Sequence, residues 1–416
     1  VPMNSEGDQQ IRFLARLGAA MCAANYPVTL VRQTLDRTAA RFGVRNDGIA
    51  LPNHVQVVGP DGSGGTAVHG ARVDADLRFD QIFPLARLVS DALAGRVSAE
   101  QGENRLDAIG AATRRYPSWV TVLGYGIQSA GLSLVLEPTF LNVLAALALG
   151  AMVGGLLVAG QRVPILAQLV PAISAFAVAS ICIVAALRLD LDHVGLRALI
   201  PPLAVFLPGA AITLAVIELT SRDVIAGTSR LIAGFVQIIQ LAFGILIATQ
   251  LLGMREDQLS SEAVNHIGPW APWLGVAVYS LGVLLFLAPP VSFLPWLLLI
   301  TYTAFTAQYA GDLLVGSYAS GFCGGLALTL VALAVSRRRG APPAITMILP
   351  GFWLLVPGSM GLIGVTELFG ADGDSALPAT LISMISVAFG LQAGLVCWQI
   401  VRRGRRAGLR QGPGIR

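Results

Sequence analysis

IPPLAVFLPGAAITLAVIEL, residues 200 to 219, and LPGFWLLVPGSMGLIGVTEL, residues 349 to 368, are two copies of one pattern. An offset of 149 pairs Pro201 with Pro350, Pro208 with Pro357, Gly209 with Gly358 and Glu218 with Glu367. Each copy is apolar for long enough to cross about 30 Å of hydrocarbon. Each also carries Pro-Gly near its middle, where proline removes a backbone donor and glycine relaxes φ. The reading is two membrane helices interrupted at matching points.

Working outward, apolar stretches run near Trp119 to Leu136, Phe140 to Val158 and Val163 to Leu187, then Leu199 to Leu219 with the first copy, then Leu231 to Leu252. The series repeats at Trp273 to Ala288, Phe293 to Tyr309, Val315 to Val335, Ile345 to Val365 and Leu381 to Val401. Five spans per copy is an odd number, so the second copy enters the bilayer from the opposite side. Such inverted repeats are the architecture of many secondary transporters. The expected fold is an α-helical polytopic membrane protein of two inverted five-helix repeats, preceded by a small α+β cytosolic domain. Its expected parts are residues 1–116, the cytosolic domain; 117–253 and 268–403, the repeats; and 404–416, a basic cytosolic tail.

Charge placement orients this scheme. Residues 1 to 118 hold 13 Arg and 12 Asp or Glu, against 15 and 12 in all the rest. With ten spans and both termini inside, 12 of those 15 Arg fall on the inner face, leaving Arg188, Arg197 and Arg255 outside, as the positive-inside rule requires. Charged residues make up 12% of the chain and hydrophobic ones 55%, too little polar surface for an ordinary soluble domain. All 28 basic residues are Arg, and the excess beside apolar spans points to the bilayer and away from nucleic acid. The opening VPMNSEGDQQ has no apolar core of a signal peptide, so the first domain is expected to stay in the cytoplasm. Cys22, Cys182, Cys323 and Cys397 lie far apart and read as small buried hydrophobes.

In the first domain, helical spacing predicts helices over Ile11 to Ala24 and Val28 to Phe42, the second stopping at Gly43. Strands are expected at His54 to Val58 and Ala67 to Val73, joined by GPDGSGG, with helices at Phe79 to Ala94 and Ser98 to Arg114. Ser98 with Gln101 makes a capping box. The glycines at 62 to 65 lack the Lys-Ser/Thr of a phosphate cradle, and His54 and His69 would face each other only in one hairpin register. No cofactor or metal set is read.

The candidate substrate site is the pair of breaks, Pro208 and Gly209 with Pro357, Gly358 and Ser359, because freed backbone groups in a membrane must line a cavity or meet another helix. Amides could take a carboxylate and carbonyls an ammonium. Glu218 and Glu367, about 15 Å beyond the breaks along a helix, are candidates for gating or proton coupling, or plain interfacial residues. Glu137 and Asp312 are further candidates for proton coupling, since an ionisable group at membrane depth is costly. Thr301, Thr303, Thr306, Gln308 and Tyr309 either line a path or bond neighbouring helices, and the Gly150/Gly154 and Gly321/Gly325 pairs read as close-packing points.

Four stretches carry a resemblance: LGAAMCAANYPVTLVRQTL (17–35), RVSAEQGENRLDAI (96–109), LEPTFLNVLAALALGAMVGG (136–155) and LLVPGSMGLIGVTEL (354–368). Over nearly its whole length the chain resembles the threonine/serine exporter family. The resemblance implies a non-enzymatic secondary transporter that exports small hydroxy-amino acids by proton coupling and needs no cofactor. Its partners would be threonine or serine, protons and the lipid bilayer, in a bacterial plasma membrane, with a homo-oligomer left open. Related two-part proteins point to dicarboxylates such as succinate as the alternative cargo. A membrane-anchored sensor or enzyme working through the first domain is the alternative of another class.

Overall fold

A computed structural model describes residues 6–60, 65–73, 75–163, 167–188, 194–253, 259–260, 266–338, 341–355 and 385–401. The described chain is mostly helical, with one small three-stranded sheet and several long apolar helices. It divides into two compact units. The first comprises residues 1–115, 214–231 and 287–289, and the second 116–213, 232–286 and 290–416.

The first unit is built around α1 (Glu6–Ala23), whose Ile11, Phe13, Leu14, Leu17 and Met21 are fully buried. It begins a turn earlier than its apolar pattern, because Glu6 and Asp8 suit the positive end of a helix dipole. α2 (Val28–Phe42) stops as expected at Gly43, whose φ of 75° is left-handed. The hairpin is β2 (His54–Pro60) with β3 (Thr66–Arg72), and β1 (Ile49–Leu51), three residues long, adds an edge strand too short to read from sequence. The register sets His54 opposite Arg72 and His69 opposite Val57, so the histidines do not face each other. His69 instead meets Asp8 at 2.8 Å.

α3 (Phe79–Leu93) and α4 (Ala99–Gly110) complete the domain, and α4 carries the Ser98–Gln101 box. A Cβ at Gly102 would collide with the Phe13 ring, so α4 lies directly on α1. Two ion pairs join the same helices, Arg12 to Glu103 at 2.8 and 3.0 Å and Arg16 to Asp107.

Among the described residues apolar helices fall within the expected stretches with shifted ends, the ninth stretch being described only to Leu355. They are α5 (Ser118–Leu136), α6 (Phe140–Gly160), α7 (Val170–Arg188), α8 (Leu196–Leu203) running into a 3-10 turn (Ala204–Phe206), α9 (Gly209–Thr220) and α10 (Val224–Leu251). There follow α11 (Ala271–Leu287), α12 (Leu294–Val315), α13 (Ser317–Val335), α14 (Ala344–Leu354) and α15 (Ile385–Val401). Five of these elements are long and apolar enough to cross a membrane, or six if the bent pair Leu199–Phe206 and Gly209–Thr220 is one span; four others are shorter. α10 starts seven residues before the expected Leu231, which takes Arg230 out of a connection and into a helix.

Glycine sets the closest approaches in the second unit. α5 and α11 run antiparallel in contact: a Cβ at Gly124 would meet Leu285 and Phe286, one at Gly282 would strike Gln128, and one at Gly131 would strike Tyr279. Gly150 and Gly154 lie on Ser129 and Val122 of α5, and Gly325 lies on Val387 of α15, so these glycines are close-packing points.

Candidate functional site

The break falls where the sequence predicts it. α8 contains Pro201 and Pro202, tightens into the 3-10 turn, and hands over through an extended Leu207 (φ −69°, ψ 122°) to Pro208. α9 then leaves at 51° to the preceding segment. Pro208 and Gly209 are both buried. The Pro208 carbonyl accepts from Ile212 N–H at 2.9 Å, so the new helix starts at the proline. Gly234 of α10 admits both Pro208 and Ile212, whose carbons would lie 3.3 and 2.9 Å from a Cβ there. Pro357, Gly358, Ser359 and Glu367 lie outside the described residues.

Two tyrosines absent from the sequence-level site bond to proline carbonyls, one on the interrupted helix and one on α14. Tyr125 of α5 is fully buried; its hydroxyl donates to Pro202 O and accepts from Val205 N–H, both at 3.0 Å. Tyr279 of α11, 1% exposed, donates to Pro350 O at 3.2 Å. The signal available was a lone Tyr in the first span of each half, which reads as ordinary core until its hydroxyl has a partner.

Glu218 belongs to the first unit, with 0% exposure. One carboxylate oxygen accepts from Val28 N–H at 3.1 Å, at the start of α2, where Pro27 has no capping side chain. A carboxylate there satisfies an orphan amide and faces the positive helix end. The other oxygen lies 3.1 Å from Arg230 Nε without hydrogen-bond alignment, so the contact is an ion pair only. Arg230 reaches Asn25 Oδ1 at 3.5 Å, and its Nη2 has no hydrogen-bond partner among the described residues. Asn25 itself has φ 58°, left-handed backbone that asparagine tolerates.

The α9–α10 turn holds this cluster in place. Asp223 N–H bonds back to Glu218 O at 2.9 Å and Arg222 takes φ 66°, the chain reversal of a Schellman turn. Asp223 precedes α10 and pairs with Arg32 at 2.6 Å. A Cβ at Gly227 would meet Leu219 and Ala215, so only glycine lets the two helices close. A nearby group feels the burial: the Cys22 thiol is pushed up to about 11 by desolvation, which Arg230 opposes and Glu218 reinforces.

The remaining candidates are scattered. Glu137 ends α5, 5% exposed, with its N–H on Ser133 O at 2.8 Å. Asp312 is in the last turn of α12 and exposed. Thr301 bonds Ser280 of α11 at 2.9 Å, a tie between helices, while Thr303 bonds back to Leu299 O of its own helix at 2.7 Å. Tyr302, Thr303 and Thr306 are the polar lining of an open groove of about 710 Å³ along α12.

Residues 12–252, more than half of the chain, match the family model described as "Putative threonine/serine exporter". The chain is also similar to Pheromone-regulated membrane protein 10 of Saccharomyces cerevisiae S288c, 27% identical over 75% of this chain and 83% of that protein. The protein of that name in strain YJM789 is 24% identical over 94% of this chain and 52% of its own length. Its Candida glabrata counterpart is 23% identical over 93% and 52%. The chain thus spans about half the length of the YJM789 and Candida glabrata proteins and most of the S288c one. No solved structure matches it. The chain belongs to the threonine/serine exporter family.

Proposed function

We propose that this protein is a proton-coupled secondary transporter that exports threonine and serine by alternating access around interrupted fourth and ninth spans. The observation that carries the reading is the 51° break at Pro208 inside an otherwise apolar span. A polytopic membrane protein has reason to keep such a break only beside a packed helix or a polar path. Family membership supplies the class of cargo. The ten-span, inverted form of the fold is supported by the antiparallel glycine contact of α5 with α11, the first helices of the two halves. It is supported also by the matching of Tyr125–Pro202 with Tyr279–Pro350.

In this reading residues 1–116 are the cytosolic domain, 117–253 and 268–403 the repeats, and both termini face the cytoplasm. Pro208, Gly209, Pro357, Gly358 and Ser359 present backbone groups to a zwitterion. Glu137 and Asp312 are acceptors for the coupled proton. Glu218 works as a gate, because its carboxylate joins the end of a broken span to the start of α2.

The test is a solute panel on purified protein in sealed vesicles. Threonine and serine move when a pH gradient is imposed, and labelled succinate does not exchange for them. Movement of succinate alone would transfer the reading to dicarboxylates, and movement of none would end it.

A further inference from the structure

The two tyrosines do something that the break alone does not explain. An uninterrupted α-helix would close Val205 N–H onto Pro201 O and Pro202 O onto Phe206 N–H. At the interruption Val205 N–H goes to the Tyr125 hydroxyl and that hydroxyl goes to Pro202 O, so one side chain from α5 splices the gap. Such groups are costly to leave unpaired in an apolar surround. In the second half Tyr279 supplies its hydroxyl to Pro350 O inside α14. Pro350 is the offset partner of Pro201, one position from Pro202.

Both tyrosines stand on a rigid base. α5 and α11 meet through Gly124, Gly131, Gly275 and Gly282, each with backbone or Cβ atoms of the other helix where its own Cβ would be. The Tyr125 ring also lies 4.8 Å from that of Phe286. Helices so close cannot slide without collisions, so the pair behaves as one body. The contacts run antiparallel, and the two hydroxyls therefore serve the two halves from opposite directions.

We propose that Tyr125 and Tyr279 are paired positioning residues of the transport cycle, each hydroxyl anchoring the proline-bearing helix of its own half, α8 and α14, to the α5–α11 base. The relative strength of the two anchors sets which face the site opens to. This rests on the exporter reading above. It gives a signature that a purely structural role lacks: loss of one anchor favours one face, loss of the other favours the opposite face, and loss of both restores the balance.

The experiment uses the full chain with Y125F, Y279F and Y125F/Y279F in vesicles and nanodiscs. The half-saturating threonine concentration is measured separately from each face, and hydrogen–deuterium exchange is followed over residues 200–212 and 346–355. A buried hydrogen bond of about 1.4 kcal/mol corresponds to about tenfold. Y125F is expected to change the ratio of the two concentrations about tenfold in one direction and to speed exchange in 200–212 only. Y279F, with its single longer bond, changes the ratio less and oppositely and acts on 346–355; the double variant returns towards wild type. Equal weakening at both faces, shifts in the same direction, or unchanged exchange in both segments overturns the proposal. Should wild-type vesicles move no threonine or serine, the exporter reading fails. The exchange data then judge the anchors by themselves, segment-specific acceleration supporting them and its absence overturning them.

Discussion

Beyond the apolar packing and close glycine contacts found in each, the two units of this protein differ in the ties inside them. The first is tied by charges: Arg12 to Glu103, Arg16 to Asp107, Arg32 to Asp223, Arg230 to Glu218, and Asp91 to both Arg96 and Arg105. The second is held by missing side chains, with Gly124, Gly126, Gly131, Gly150, Gly275 and Gly282 bringing helix backbones into contact. Apolar helices in lipid gain little from burying apolar surface, so close packing and a few hydrogen bonds must do the work. Where water is at hand, a charged pair serves, and its worth depends on how far water is excluded.

That contrast sets an order of sensitivities. The largest loss is expected for Glu218→Ala, which strips Arg230 of its counter-charge and Val28 of its acceptor. Thermal unfolding of the full chain should show about 3 kcal/mol of destabilisation, the scale of breaking a buried pair. An apolar replacement of both partners, Glu218→Leu with Arg230→Met, should recover most of it. Next is Gly131→Val, about 2 kcal/mol, because the added carbons must displace the Tyr279 backbone. Gly155→Ala, with nothing within 4 Å of its Cβ position, should cost nothing and is the control for helix propensity.

Glu103→Ala is third, about 1.5 kcal/mol, for two charge-assisted bonds at the half-buried α1–α4 contact. The smallest is Asp91→Asn, about 0.5 kcal/mol for an exposed pair. The Arg96 and Arg105 hydrogen bonds hold the Asp91 carboxyl below the usual carboxylate range. A lowered folded value contributes stability above the unfolded value and loses it as pH falls. The difference between wild type and Asp91→Asn should therefore be present at pH 7 and shrink below about pH 4. A difference independent of pH would assign the effect to something other than charge.

Much of this architecture is legible in the sequence because the signals are local. Gly43 ends α2, Ser98–Gln101 starts α4, and the Pro208 break sits mid-span, each within a few residues of its cause. Helix starts were less legible. Arg230 reads as a loop charge, yet it is the second turn of α10, because its guanidinium finds Glu218 across the turn instead of water. The partners of Glu218 and Tyr125 were not legible at all: Val28 is 190 positions away and Pro202 is 77 away. Spacing reports which face a residue occupies on its own helix, and says nothing of which distant backbone group completes its hydrogen bonds.

In the proposed cycle the interrupted span is where transport happens. The most direct test is Pro208→Ala with Gly209→Ala in the full chain, reconstituted beside wild type at matched incorporation. Removing the break restores a continuous helix, so movement of threonine and serine driven by a pH gradient should fall at least about tenfold while unfolding stays at or above the wild-type temperature. Wild-type flux through a protein with that helix made continuous would contradict the account.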